Sequence, residues 1–294
     1  MPLAELKTEV PAAAADAVDE LLLELGDGRW SLLEDALAGR AWVVGIFSDE
    51  GEARARWADL AARLPAPPRS GPEVRLLADA DWRESYRSHF RRWQFGRLHW
   101  VPQWERGSFR APAGEAVLWL DPGLAFGTGN HETTRLCIER LVERAEELRR
   151  GGRALDRARV IDAGCGSGIL ALSAALLGFG TVSGFDLDPE AARVSGENAA
   201  LNGLEGRVRF SVSNLGEGLA GGAADVVLAN IQSDVLAAHA GLLRGAVAPG
   251  GVLILSGILA AELPAVESAF APGPGWSARS CTLGEWAELT LRRV

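Results

Sequence analysis

A glycine turn and the acidic residue that follows it are the strongest sign of chemistry in the sequence. Glycines alternate at Gly164, Gly166 and Gly168 after the apolar pair Val160–Ile161, and Asp186 comes about twenty residues later. Glycines let a backbone turn tightly and approach a ligand where a side chain would intrude. A carboxylate at the end of the next strand can accept hydrogen bonds from a ribose diol. The pattern predicts a site for a nucleoside-bearing cofactor.

The spacing of these glycines indicates which cofactor binds. Dinucleotide-binding turns place their glycines as Gly-X-Gly-X-X-Gly to cradle a pyrophosphate. Here the spacing is the tighter Gly164-X-Gly166-X-Gly168, and Asp162 precedes it. The turn is better suited to a cofactor without a pyrophosphate, such as S-adenosylmethionine, than to a nicotinamide or a flavin dinucleotide.

A second glycine-rich stretch, Asp121 to Thr134, is more specific. Its glycines permit a backbone that wraps a ligand, its threonines offer hydroxyl groups, and Phe126 offers an apolar surface for a ring or a thioether chain. The alternative is an ordinary loop that Asn130 or Thr133 caps into the following helix.

Asn230 ends the apolar run Val226–Ala229, where the reacting group is expected. We hypothesise that its side chain or its backbone carbonyl orients a methyl-accepting amine; the alternative is a strand-end turn residue, a common use of asparagine. Enzymes that methylate amides or adenines have Asn-Pro-Pro-aromatic here. This chain has Asn230-Ile231-Gln232-Ser233, which counts against those substrates.

The elements that must position these residues form two domains. Strand and helix patterns alternate from residue 160 onwards, with one helix predicted over 233–246 and another over 259–270. This alternation predicts an α/β fold with a doubly wound, Rossmann-like parallel sheet. The N-terminal pattern is βαββαβ, typical of a small ferredoxin-like α+β domain. We therefore expect domains at 1–80 and 111–294, joined by a junction at 81–110.

The junction region combines aromatic and basic residues. Five of the ten tryptophans lie between Trp82 and Trp119, together with several arginines. Arginine and aromatic rings can grip stacked bases, so binding of nucleic acid is one interpretation. Tryptophans that pack at a domain junction, with arginines on a solvated face, are the other.

Composition limits the function classes. The 294-residue chain has a net charge of -9 and a pI of about 5.1, which argues against sequence-independent binding to nucleic acid. Its three cysteines lack metal-ligand spacing, so no metal site is predicted. No apolar run is long enough to span a bilayer, and we expect a cytoplasmic protein with no membrane partner.

Three further stretches make the chain resemble the PrmA family of ribosomal protein L11 methyltransferases. The motif Asp-Pro-Gly-X-Ala-Phe-Gly-Thr-Gly-X-His-X-Thr-Thr matches from Asp121 to Thr134. The segment Arg97 to Trp104 and the sequence Gly284-Glu285-Trp286 are also similar, so the resemblance covers nearly the whole length. It implies a class I methyltransferase domain behind a small domain that recognises the substrate.

The resemblance also implies the reaction and its residues. The expected function is transfer of methyl groups from S-adenosylmethionine to lysine and N-terminal amines of ribosomal protein L11 by a monomer. The implied cofactor-binding positions are Thr134, Gly164, Gly166, Asp186 and Asn230, with Phe126, Gly127 and Thr128 over the methionine end of the cofactor. The chain has Ser213-Asn214 where an acidic partner for adenine is more usual, which leaves the adenine contact open.

Two other functions remain open at this point. The acceptor could be a lysine of another protein or a small amine, with the same cofactor. The chain could also be a non-catalytic, S-adenosylmethionine-binding assembly factor. The Asp121 to Thr134 stretch favours an enzyme.

Overall fold

The computed structural model describes residues 3–25, 29–35, 40–77, 92–120, 132–271 and 273–294, and the chain forms two compact units, Met1–His89 and Phe90–Val294. Residues 81–91 of the expected junction, where the sequence also has a helical pattern over 81–90, lie outside the described residues. The described part of the expected junction, residues 92–110, belongs to the second unit.

The first unit is a four-stranded antiparallel sheet with two helices. Its elements are β1 (Leu3–Val10), α1 (Ala15–Leu25), β2 (Trp30–Asp35), β3 (Arg40–Phe47), α2 (Glu50–Ala61) and β4 (Glu73–Leu77). The strand order is β2-β3-β1-β4, and every neighbouring pair is antiparallel. This order is the ferredoxin-like arrangement that the βαββαβ pattern predicts.

Alternating burial explains why this sheet forms. Every second residue of β1 and of β3 is buried, as expected when one face of a sheet carries the core. Trp30 packs edge-on against Phe47, with ring centroids 4.9 Å apart. Helix α2 begins where the Asp49 side chain accepts a hydrogen bond from the Glu52 amide.

The second unit is built on a seven-stranded sheet. Its strands are β8 (Arg159–Ala163), β9 (Thr181–Asp186), β10 (Val208–Val212), β11 (Ala224–Asn230), β12 (Val247–Leu259), β13 (Trp276–Leu283) and β14 (Trp286–Arg293), after a smaller sheet of β5 (Trp93–Phe95), β6 (Leu98–Pro102) and β7 (Ala116–Leu120). Its helices are α3 (Glu132–Arg150), α4 (Ile169–Leu177), α5 (Pro189–Leu201), α6 (Leu215–Leu219), α7 (Ser233–Ala238), α8 (Ala240–Gly245) and α9 (Leu263–Ala269).

The order of the large sheet is β10-β9-β8-β11-β12-β14-β13. Strands β8 to β12 are parallel, and β14 lies antiparallel between β12 and β13. The chain builds outwards from β8 to β10 and then returns to the other side of β8 with β11. The strand order therefore reverses between β8 and β11, the place where sheets of this type bind ligands. The doubly wound α/β prediction is confirmed.

Both faces of the large sheet are covered. Along β11, Val226 and Leu228 join one apolar cluster, whereas Val227 and Ala229 join the cluster on the opposite face. Successive side chains of a strand point to opposite faces, so a strand buried on both sides reads as a continuous apolar run.

Two predicted helices are corrected by the structure. The helix expected over 233–246 is two short helices, α7 and α8, separated at His239. In place of a helix starting at residue 259, β12 continues to Leu259, opposite Trp286 of β14, and α9 begins at Leu263. Strand pairing across the sheet overrides the local helical pattern there. The strand predicted over 117–120 is β7 of the small sheet, whereas α6 and the other two strands of that sheet, β5 and β6, were not predicted.

A buried tryptophan of the small sheet is hydrogen-bonded to helix α4. Strands β5 and β6 are antiparallel, and β6 and β7 are parallel. Trp100 of β6 is fully buried, and its Nε1–H donates to Ser173 Oγ of α4 at 2.9 Å. Phe95, Leu98 and Trp100 of the expected junction thus belong to the core of the second unit.

Trp100→Phe should destabilise the second unit by about 2 kcal/mol, because the substitution leaves the Ser173 hydroxyl without its donor and creates a small cavity. Ser173→Ala is the matched variant. Urea denaturation of the two single variants and the double variant should give a coupling energy of about 1 kcal/mol. Strictly additive losses would show that the hydrogen bond contributes nothing.

Candidate active site

The carboxyl ends of β8, β9, β10 and β11 meet around a cavity of about 650 Å³. Four of the predicted residues line it, namely Gly164, Gly166, Asp186 and Asn230. Thr134 adjoins Asn230, as described below. The other three predicted contacts, Phe126, Gly127 and Thr128, lie outside the described residues.

The turn after β8 requires glycine. Gly164, Gly166 and Gly168 have φ values of 71°, 51° and 76°, a region that residues with side chains rarely adopt. A Cβ on Gly164 would also clash with the side chain of Ile231, and one on Gly168 would lie 2.8 Å from the Phe210 ring. Backbone conformation and crowding therefore both exclude other residues at Gly164.

The Asp186 carboxylate holds this turn together from the end of β9. Its Oδ2 accepts from the Gly166 amide at 2.9 Å, and its Oδ1 accepts from the Asp188 amide at 3.0 Å. Each carboxylate oxygen has a further lone pair. Asp186 can therefore still accept hydrogen bonds from a ribose diol while it fixes the backbone around the cavity.

Asp162, at the end of β8, is a buried carboxyl group. Its Oδ2 accepts from the Ala171 amide at 3.0 Å, whereas Oδ1 has no hydrogen-bond partner among the described residues. Burial raises the pKa of Asp162 to about 7, and the nearby Asp186 charge adds to this, although the Ala171 hydrogen bond opposes it. This carboxyl group therefore changes charge near neutral pH.

Asn230 and Thr134 come together from distant parts of the chain. The Asn230 Nδ2 donates to the Oγ1 of Thr134 at 3.4 Å, and Thr134 is buried in the first turn of α3. With Nδ2 used in this way, Oδ1 is available as an acceptor at the end of β11. An acceptor at this position suits an amine or ammonium group.

The part of the cavity beyond Asp186 has apolar walls that the sequence did not reveal. Leu187 is 73% exposed, and Leu215 and Val235 also line the cavity. Such surfaces suit the faces of a purine ring. Leu187 could have been found from its position directly after the strand-end acid, whereas Val235 depends on the fold of α7.

The loop after β10 carries no acidic side chain. The Asn214 Oδ1 accepts from the Glu217 amide at 3.0 Å and so caps α6. The Ser213 and Ser211 hydroxyl oxygens lie 3.3 Å apart. The sequence left the adenine contact open at Ser213-Asn214. In the structure, the Asn214 side chain caps α6.

Other kinds of site receive little support. Burial raises the pKa of the Cys165 thiol to about 12, so this cysteine stays protonated and is a poor nucleophile. Within the described ranges, no group of three or more His, Cys, Asp or Glu side chains could hold a metal ion. No helix in those ranges is long and apolar enough to cross a membrane.

Gly164→Ala should weaken binding of S-adenosylhomocysteine, the product form of the predicted cofactor, by at least about tenfold. The methyl group would displace Ile231 and the neighbouring Asn230. Gly203→Ala is the matched control, because Gly203 also has a positive φ of 66° but has open space around it. Isothermal titration calorimetry should show normal affinity for the control. Equal loss in both variants would show that general backbone strain is responsible.

Asp162→Asn should remove a pH dependence of folding from the cofactor-free protein. Because the pKa in the folded state, about 7, lies above the ordinary value, folding binds a proton between about pH 4 and pH 7. Wild-type stability therefore falls as pH rises through this window. Urea denaturation should show the variant more stable at pH 8, by at most ~4 kcal/mol, and similar to wild type at pH 4. An equal difference at both pH values would contradict the assignment.

Comparisons with known proteins identify the family of this chain. The family described as "Ribosomal protein L11 methyltransferase (PrmA)" matches residues 7–294. The ribosomal protein L11 methyltransferase of Geobacter sulfurreducens is 39% identical over 308 residues, covering 98% of this chain and 97% of that protein. The corresponding protein of Trichlorobacter lovleyi is 42% identical over 245 residues, covering 81% of this chain and 75% of its own.

A solved structure is similar as well. The crystal structure of ribosomal protein L11 methylase from Lactobacillus delbrueckii subsp. bulgaricus matches with a TM-score of 0.58 and 31% identity, covering 69% of this chain and 99% of that one. A family match across almost the whole length, with the glycine turn, Asp186 and Asn230 around one cavity, leads to one conclusion: this chain belongs to the PrmA family of ribosomal protein L11 methyltransferases.

Proposed function

We propose that this chain transfers methyl groups from S-adenosylmethionine to the N-terminal and lysine amines of ribosomal protein L11. The observation that carries the proposal is the cavity at the reversal of strand order. There, a strand-end carboxylate and a strand-end amide flank a glycine turn. The names of the relatives support the choice of substrate.

The residues of the cavity fit S-adenosylmethionine, the cofactor of this enzyme. Asp186 would bind the ribose diol, Leu187 and Leu215 would contact the purine, and the turn at Gly164 and Gly166 allows close approach of the backbone. When bound, this cofactor supplies a methyl group on a positively charged sulfur. The chain needs no covalent intermediate of its own.

Asn230 is the residue that we assign to the acceptor amine. Its amide nitrogen is engaged by Thr134, which fixes the orientation of the side chain and leaves Oδ1 to accept a hydrogen bond from the amine. The hydrogen bond would hold the nitrogen lone pair in line with the methyl group, and positioning of this kind supplies much of the catalysis in a one-step displacement. Exclusion of water by the bound substrate would also favour the neutral amine over the charged one.

The first unit is where we place substrate recognition. Its open sheet face carries charged and aromatic side chains. Lys7 Nζ lies 4.8 Å from the centroid of the Trp42 ring, and Arg40 forms an ion pair with Glu9. We further propose a cytoplasmic monomer that makes no sequence-specific contact with nucleic acid, in keeping with the net charge of -9.

The direct test is methylation of purified, unmodified ribosomal protein L11 by this protein and S-adenosylmethionine, followed by intact-mass and peptide mass spectrometry. Mass increases that correspond to one or more added methyl groups at lysine or N-terminal amines are expected. Labelling of a different protein in a ribosome-free lysate, with none on L11, would favour another amine acceptor. Cofactor binding without transfer to any lysate protein would favour an assembly factor.

Asn230→Ala should lower the rate of methyl transfer by roughly a hundredfold, because the amine loses its orienting acceptor. Affinity for S-adenosylhomocysteine should fall less than the rate of transfer does, by about tenfold at most, because Asn230 is also one of several residues that line the cofactor cavity. Asp186→Ala is the contrasting variant: it should lose most cofactor affinity, because the ribose hydrogen bonds and the support of Gly166 disappear together. Single-turnover rates and calorimetry separate the two effects. A full rate in Asn230→Ala would exclude the orienting role.

A further inference from the structure

His239, a histidine in the cavity wall, forms a hydrogen bond from its ring to a backbone carbonyl of the preceding helix, α7. His239 separates α7 from α8, and its Nδ1 lies 3.0 Å from the carbonyl oxygen of Val235. Because a carbonyl oxygen can only accept, Nδ1 must carry the proton and donate. In the neutral ring, Nε2 is then an unprotonated acceptor.

His239 lies in the part of the cavity with apolar walls. Gln232, Val235 and His239 are spaced by three and four residues, which places them on one side of a helical turn, and all three line the cavity. Helix α6, which begins with the cavity residue Leu215, packs against α8 and β8. Leu215, which begins α6, and His239, which directly precedes α8, therefore line the cavity from two helices that pack together.

An adenine ring at this end needs a hydrogen-bond acceptor for its exocyclic amine, which is a donor. The acidic side chain that would serve is absent from the loop after β10, and the Asn214 Oδ1 caps α6. Two further carboxylates lie in the wall: Asp188 caps α5 and Glu190 pairs with Arg193, so each has part of its acceptor capacity in use. The Nε2 of His239 is an acceptor in this wall that the helix itself orients.

We propose that Nε2 of neutral His239 accepts a hydrogen bond from the exocyclic amine of the cofactor's adenine and so selects adenine over purines that lack this amine. The inference rests on the proposed use of S-adenosylmethionine and assigns a specificity residue within that site. It gives His239 the role that an acidic side chain after β10 would otherwise have.

The contact is tested by removing the His239 ring and the exocyclic amine of the ligand, first separately and then together. Calorimetry would compare S-adenosylhomocysteine with its 6-deamino analogue, in which a hydrogen replaces the exocyclic amine. Wild type should bind the analogue about fivefold more weakly, the value of one hydrogen bond. His239→Leu should bind both ligands with the same, lower affinity. His239→Gln, whose side-chain oxygen can accept, should recover part of the discrimination.

Gln232→Ala is the matched control, since Gln232 is a polar residue of the same wall, and it should keep the wild-type discrimination. Thermal unfolding of each variant would confirm that it is folded. The assignment would be overturned if His239→Leu still discriminated between the two ligands, or if Gln232→Ala lost the discrimination instead. It would also be overturned if the wild type bound both ligands equally. A wild type that binds neither ligand would instead refute the proposed function, and this inference with it.

Discussion

The site depends on one carboxylate that is shared between two backbone segments. Asp186 accepts the amide of Gly166 from the turn after β8 and the amide of Asp188 from the loop after β9. Hydrogen bonds to a charged acceptor are stronger than those between neutral groups. Two neighbouring strand ends are thus joined by a side chain that keeps lone pairs for a ligand, so the same group shapes the cavity and contributes to binding.

Thr134, the hydrogen-bond partner of Asn230, lies in the first turn of the long helix α3. Helix α3 is held near its C-terminal end by Arg144, which is buried and donates to the Gly250 carbonyl at 2.6 Å. Burial lowers the pKa of Arg144, and Glu147 opposes this by pairing with it. Such buried ionic contacts hold a geometry more than they add net stability. The contacts of Arg144 fix the C-terminal half of the helix whose first turn carries Thr134.

Much of the fold and of the site could be predicted because the relevant signals are local. Gly164, Gly166 and Asp186 are separated by one strand and one helix of ordinary length, and their backbone requirements appear directly in the residue types. The apolar runs of β8 and β11 likewise reflect burial on both faces.

The parts that could not be predicted depend on contacts between distant residues. The extension of β12 to Leu259 is decided by pairing with Trp286, and the break at His239 is accompanied by a ring contact to Val235. The burial of Trp100 depends on Ser173, which is far away in the sequence. No periodicity in a single segment carries such information.

Ile231, the residue after Asn230, packs against a glycine on each of two sides. A Cβ on Gly164 would clash with the Ile231 side chain, and one on Gly257, whose φ is 80°, would clash with the Ile231 backbone. The absence of a Cβ at Gly164 and at Gly257 thus leaves the space that Ile231 occupies. Ile231 directly follows Asn230, whose side-chain amide is the group assigned to the acceptor. In a mutational scan, substitutions at Gly257 would reduce activity as substitutions of an active-site residue do, although glycine has no functional group. Redesign of this site for a bulkier acceptor therefore begins with the packing around Ile231.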